Sequence, residues 1–118
     1  MKKNRESGFT LIELLVAVVV LTAALLAISS MVYSVMNATS LSKENGTATA
    51  LMQDKMESLK HTVVSSLASG NDTIQLGGVD YLRQWSVAAS ANTRTITVMV
   101  NWNNRGPHRV TMTTLRGE

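Results

Sequence analysis

One acidic residue, Glu13, stands near the start of a long apolar segment, where a carboxylate is costly and usually marks function. From Leu14 to Ser42 the chain has 29 residues without a charged side chain, more than the roughly 20 that a helix needs to cross a bilayer. A carboxylate placed there could pair with a cation, which would offset the cost of taking it out of water. The alternative is a glutamate that simply reaches the aqueous surface of the membrane.

No other group of residues has the spacing of a catalytic or metal site. His61 and His108 are the only histidines and lie far apart, and the sequence contains no cysteine. Asn71, Asp72 and Asp80 fall near one predicted turn, but two carboxylates without the regular spacing of a calcium loop usually belong to a solvated turn. We therefore expect no catalytic residue, no bound metal and no cofactor, and the chain is not expected to be an enzyme.

The predicted sheet region carries arginines and no lysine, beside the aromatic residues Tyr81, Trp85 and Trp102. Arginine with exposed aromatic rings can bind single-stranded nucleic acid. The ordinary interpretation is that the tryptophans pack in a core, while the arginines lie on the outer face or contact neighbouring molecules. Nucleic acid is therefore not an expected partner. The arginines are Arg83, Arg94, Arg105, Arg109 and Arg116.

The basic character of the chain is concentrated in its first eight residues. The sequence has a formal net charge of +3 and a pI near 9.6, and Lys2, Lys3 and Arg5 against Glu6 supply +2 of that charge. Without residues 1–8 the charge falls to +1. Because positive flanks stay in the cytoplasm, this leader predicts that the part after the apolar segment faces outward, into the periplasm of a diderm bacterium.

A single helix is predicted from Phe9 to about Leu67, since the only proline of the chain is Pro107. Its weak point is Asn45-Gly46, because glycine costs about 1 kcal/mol relative to alanine inside a helix. We expect a bend or a frayed turn there. In the outer half, apolar residues recur at steps of three and four, which predicts a face covered by a sheet. That face comprises Ala48, Met52, Met56, Leu59, Val63 and Leu67.

The remainder of the chain predicts an antiparallel meander of three or four strands. A short strand at residues 73–76 is followed by alternating segments at Tyr81–Ala89, Arg94–Asn103 and His108–Leu115, with connections short enough for hairpins. The predicted fold class is therefore α+β: a long N-terminal transmembrane helix with a small antiparallel sheet packed on its outer half.

The hexapeptide Gly8-Phe9-Thr10-Leu11-Ile12-Glu13, after a short basic leader and before an unbroken apolar helix, resembles the cleavage and methylation signal of type IV prepilins and pseudopilins. The resemblance is strongest over residues 1–36. It implies that prepilin peptidase cleaves between Gly8 and Phe9 and that Phe9 becomes an N-methylated N-terminus. It also implies that Glu13 acts in assembly, where its carboxylate pairs with the Phe9 amino group of a neighbouring subunit.

The resemblance also implies a domain plan and a function. We expect a leader peptide at 1–8, a transmembrane and assembly helix at 9–42, and a periplasmic α+β pilin domain at 43–118. Such a chain would be a structural minor pilin, held as a single-pass inner-membrane protein and then assembled into a type IV pilus. Its partners would be prepilin peptidase, other pilins or pseudopilins, the inner-membrane assembly platform and membrane lipid.

Three alternatives remain open from the sequence, and the last of them is a monotopic membrane anchor that joins no fibre. A type II secretion pseudopilin has the same signal, and residues 50–59 resemble the matching stretch of V-type minor pilins and I-type pseudopilins alike. A secreted small β-rich protein with an ordinary signal peptide could be cleaved at the small-x-small site Ala27-Ile28-Ser29. Against the second alternative, the apolar segment continues through Met36, and Glu13 has no use at the start of a signal-peptide core.

Overall fold

The computed structural model describes residues 8–117, so the predicted leader lies outside the described residues except for Gly8. The chain divides between Ser40 and Leu41 into two compact units. The elements are helix α1 (Leu11–His61), a short 3-10 turn (Val64–Ser66), and strands β1 (Gly70–Leu76), β2 (Val79–Ser90), β3 (Thr93–Asn103) and β4 (Pro107–Gly117).

The first unit is the apolar part of α1. Every described residue up to Met36 is exposed, and an 18-residue window of the helix has a mean hydropathy of 2.9. Two hydroxyl groups within it bond to the helix backbone: Ser29 Oγ donates to the Leu25 carbonyl at 2.9 Å and Ser30 Oγ donates to the Ala27 carbonyl at 2.8 Å. By length and composition this helix can cross a membrane.

The observed helix differs from the predicted one in two details. The helix continues through Asn45 and Gly46 without a frayed turn, and Ala48 just beyond them is fully buried. Burial of the helix face around Ala48 stabilises the helix by more than the glycine at position 46 costs. At the other end, α1 stops at His61 instead of near Leu67. Val63 therefore leaves the buried face and is 68% exposed, whereas Leu67 returns to the core from the following loop.

The second unit contains the sheet, and the predicted four-strand meander is confirmed. The strands lie in the order β1-β2-β3-β4, all antiparallel and with an uninterrupted register in each pair. The β1–β2 hairpin turns on Gly77 and Gly78, whose φ values of 59° and 77° are those of a two-residue turn that suits the twist of paired strands. The α+β layout expected from the sequence is thus the observed one.

The core of this unit lies between one face of the sheet and the outer part of α1. The helix contributes a stripe in which residues recur at steps of three and four, and the strands contribute alternate residues. Trp102, predicted to pack in the core, is 3% exposed. The buried residues are Ala48, Met52, Met56, Leu59, Leu67, Tyr81, Ile96, Val98, Val100 and Trp102.

Candidate functional site

The start of α1 is organised by Thr10, which caps the helix. The Glu13 backbone N–H donates to Thr10 Oγ1 at 3.3 Å, and the Leu14 N–H donates to the Thr10 carbonyl at 3.1 Å. Glu13 therefore occupies the first turn, where a negative side chain is favoured by the helix dipole. This role of Thr10 was not predicted from the sequence, although a threonine followed three residues later by glutamate is a recognised helix-start pattern.

Gly8, Phe9 and Glu13 lie together in this exposed segment because they are neighbours in the chain. Phe9 precedes the first turn of α1 and is 86% exposed. A Cβ added at Gly8 would meet no atom within 4 Å. The backbone around the predicted cleavage position is thus uncovered among the described residues, and the Glu13 carboxylate stands one helical turn away from it.

The helix around Glu13 has two different faces. Residues three or four positions apart share a helix face, so Glu13 shares its face with mostly small residues. These are Ala17, Val20, Ala24 and Ala27. The opposite face carries Leu11, Leu15, Val18 and Leu26, with Thr22 and Ser29 among them. Small residues allow a second helix to approach closely in a bilayer, whereas large apolar residues suit lipid. The carboxylate is therefore on the side better shaped for contact with another helix.

In the second unit, Arg83 is buried and joins the sheet to α1. Its side chain forms a bidentate pair with Asp72, at 2.8 Å to Oδ1 and 2.7 Å to Oδ2. One terminal nitrogen also donates to the Leu51 carbonyl at 3.1 Å and to Asp54 Oδ2 at 3.2 Å. Hydrogen bonding to this guanidinium lowers the pKa of the Asp72 carboxyl against the opposing effect of burial.

The prediction that the arginines lie on the outer face or contact neighbouring molecules was wrong for Arg83, which is 7% exposed. The alternation of β2 contained the signal, because Arg83 lies between Tyr81 and Trp85 on the face that points to the helix. Arg116 also turns inward and donates to the Leu59 and Thr62 carbonyls at 3.3 and 2.6 Å. Arg109 does lie on the outer face, where its Nε donates to Asn101 Oδ1 at 2.7 Å.

The aromatic residues are engaged within the domain. Trp102 Nε1 donates to Glu44 Oε2 at 3.2 Å, and His108 stacks on the Trp102 ring with centroids 5.4 Å apart. Burial, together with the charge of Glu44, raises the pKa of Tyr81. Trp85 is only half-buried, which corrects its predicted place in the core, and the ammonium group of Lys55 lies 3.6 Å from its ring centroid. The rings thus serve packing contacts.

The residues considered for a calcium loop do not converge. Asp72 is in β1 opposite Arg83, whereas Asp80 is exposed at the other end of the hairpin, opposite Gln75. His61 lies on the helix surface, 2.8 Å from Glu57. In residues 8–117 no three His, Asp or Glu side chains come together as a metal site would require.

Comparison with known families places a recognised motif on the same segment. Residues 3–29 match the family described as the prokaryotic N-terminal methylation motif. The match includes Gly8, Phe9, Thr10 and Glu13, and it confirms the prepilin-type signal expected from these residues. Searches of curated proteins and of solved structures gave no significant match. The chain therefore has the N-terminal motif of a pilin-like precursor on a helix able to enter a membrane.

Proposed function

We propose that this chain is a structural subunit of a type IV pilus, present as a minor pilin, and not an enzyme. The observation that carries the proposal is the methylation motif at residues 3–29, continuous with an exposed apolar helix that bears one carboxylate. The small α+β unit after residue 40 would then be the part displayed in the periplasm and on the fibre.

Processing is the first step of the proposed function. Prepilin peptidase cuts between Gly8 and Phe9 on the cytoplasmic side, and the new Phe9 amino group is N-methylated. The exposed backbone at Gly8 suits entry into a protease site. Intact-mass analysis of the membrane-bound protein should give a chain that begins at a methylated Phe9. A chain that begins near Ser29 would refute the proposal, and Gly8→Leu should leave the leader attached.

Assembly is the second step, and Glu13 has the central part in it. When subunits leave the lipid for the fibre, their apolar helices pack against each other and the Glu13 carboxylate is enclosed. A positive partner is then needed, because an unpaired carboxylate in an apolar environment is strongly unfavourable. The Phe9 amino group of a neighbouring subunit supplies this partner, and the small residues beside Glu13 let the two helices come close.

The Glu13→Gln variant tests this step, because glutamine keeps the size of the side chain and removes its charge. Cleavage and membrane insertion should continue, whereas recovery of the tagged variant with other pilins from sheared fibres should fall at least tenfold, the change that about 1.4 kcal/mol of lost pairing produces. Glu6→Gln is the control, because Glu6 leaves with the leader. Wild-type recovery of Glu13→Gln would show that Glu13 is only a surface acid.

The type II secretion pseudopilus is the competing destination for the same signal. Deletion of the gene distinguishes the two systems: loss of surface pili with normal enzyme secretion supports the pilus, and the reverse result supports the pseudopilus. Protease protection of the part after residue 40 in intact cells, lost on opening the outer membrane, would place that part in the periplasm.

A further inference from the structure

The two edges of the sheet have features that suit each other. The register of β1 with β2 and of β3 with β4 is unbroken, so neither edge strand contains a bulge. Neither strand contains a lysine, and the one proline is the first residue of β4. Bulges, lysines and internal prolines are the usual means by which natural proteins block sheet edges. Within residues 8–117 no further strand covers either edge.

The number of strands decides how two copies can join. In an antiparallel meander of four strands, β1 and β3 run in one direction and β2 and β4 in the other. A second copy in the same orientation therefore places its β1 antiparallel to β4 of the first, and the hydrogen-bond ladder continues as in the rest of the sheet. Pairing of β4 with a second β4 in the antiparallel sense would instead require one copy to be inverted.

The surfaces beside these edges are also complementary. A groove of about 650 Å³ is lined by Met112 of β4 and by residues of α1, among them Met56, Lys60, Asp54 and Glu57. On β1, Ile74 points to the same side of the sheet and is only half-buried. If β1 of a neighbour pairs with β4, the Ile74 side chain of the neighbour lies on the same side of the extended sheet as Met112. Apolar surface of both copies is then removed from water.

The charges allow this contact. Strand β4 contains Arg109 and Arg116 and no acidic residue, whereas β1 contains Asp72 and no basic residue. No like charges therefore meet between the two strands, whereas two β4 strands would bring arginines together, so the strand charges favour association of opposite edges over association of identical ones.

We propose that copies of this chain associate edge to edge, with β4 of one copy paired antiparallel to β1 of the next. The contact is head-to-tail, so each copy keeps one free edge of each kind and can extend the row. The inference rests on the proposed function in one respect, namely that a common membrane or fibre gives all copies the same orientation.

Disulfide cross-linking of the full chain in membranes tests the contact, because the native sequence has no cysteine. Thr73→Cys in β1 and Thr113→Cys in β4 both lie on the exposed outer face of the sheet. When the two variants are co-expressed, oxidation should give a disulfide-linked mixed dimer. Its yield should be severalfold higher than the yield of dimer from either variant alone. Asn71→Cys in β1 and Thr111→Cys in β4 lie on the same outer face, one residue pair further along their strands. They are included to test the neighbouring registers of β1 against β4.

Two variants at one hydrogen bond provide a matched control. The Thr97 and Thr113 hydroxyl groups are 3.2 Å apart, so Thr97→Lys and Thr113→Lys break the same contact, one on the inner strand β3 and one on the edge. With Thr73→Cys and Thr111→Cys as reporters, Thr113→Lys should lower the dimer by roughly fivefold or more, and Thr97→Lys should leave it unchanged.

Three results would overturn the proposal. They are the absence of a dimer from every β1–β4 combination, a dimer of equal yield from Thr113→Cys alone, and an equal effect of the two lysine variants. The mass of the chain from the same membranes separates this proposal from the proposed function. A chain that begins at Phe9 but gives no cross-link refutes only the edge contact, whereas a chain that is not cleaved refutes the pilin assignment itself.

Discussion

Replacement of Arg83 by methionine tests the idea that a buried arginine holds the sheet to the helix. Methionine keeps much of the length and the apolar stem of the side chain and removes the guanidinium group. The change leaves Asp72 without its bidentate partner and frees the Leu51 carbonyl and Asp54 from their contacts with the same group.

The size of the effect follows from the exposure of each partner. Asp54 has a side chain that is 79% exposed, so water replaces its contact and little is lost. The Leu51 carbonyl lies within α1 and keeps its helical hydrogen bond. The pair with Asp72 dominates, since charge-assisted hydrogen bonds contribute about 1.5–3 kcal/mol each. The Asp72 side chain is 37% exposed, which reduces the loss. We expect Arg83→Met to cost about 2–3 kcal/mol.

The assay is unfolding of the full chain in detergent, followed by tryptophan fluorescence, because both tryptophans lie in the sheet and report on that unit alone. A loss of about 2–3 kcal/mol should lower Tm by roughly 10–20 °C in a domain of this size. Arg83→Met combined with Asp72→Leu removes both partners and should recover more than half of the loss. A single variant that melts like the parent, or a double variant as unstable as the sum of the single ones, would refute the reasoning.

Two further results are expected. Leu59→Asp should lower the free energy of unfolding by several kcal/mol, because Leu59 is 7% exposed in the core. Val63→Asp should change Tm by only a few degrees, because Val63 is 68% exposed. Equal melting of the two variants would show that α1 packs through another face. Lowering the pH should destabilise the domain through Asp72. The folded state lowers the pKa of Asp72 from 3.8, so its contribution is complete above that value and is lost as the pH falls through the folded pKa. Asp72→Asn should flatten this part of the pH profile of Tm, and an unchanged profile would contradict the assignment.

The sequence predicted most of the fold because its signals are local. The helix, the buried stripe from Ala48 to Leu59 and the four strands follow from periodicity, and the hairpin at Gly77-Gly78 follows from turn chemistry. The prepilin-type signal around Gly8 and Phe9 is a contiguous pattern, so it could also be found without a structure.

What the sequence did not predict depends on contacts between distant residues. The end of α1 at His61 is stabilised by Arg116, which binds carbonyl groups 54 and 57 residues earlier in the chain, and no local pattern contains that contact. Arg83 was predicted, with the other arginines, to lie on the outer face or to contact neighbouring molecules, and its burial depends on Asp72, eleven residues away. Residue type outweighed strand alternation in that prediction, and alternation was the better guide.

The contacts of Arg116 also bear on when the domain can fold. Asn104 binds Glu44 across 60 residues, and Arg116 binds Leu59 in the last turn of α1 across 57 residues. Residues at the start and end of the final hairpin segment therefore hold both ends of the packed half of the helix. Contacts this far apart in the chain must close large loops and make folding slow. The helix leaves the ribosome first, while the sheet that covers it is still unmade. Its Met52 and Met56 face thus remains uncovered until the sheet, whose buried residues lie mainly on β3, has formed. That interval is when the apolar helix face is most open to chaperones and proteases.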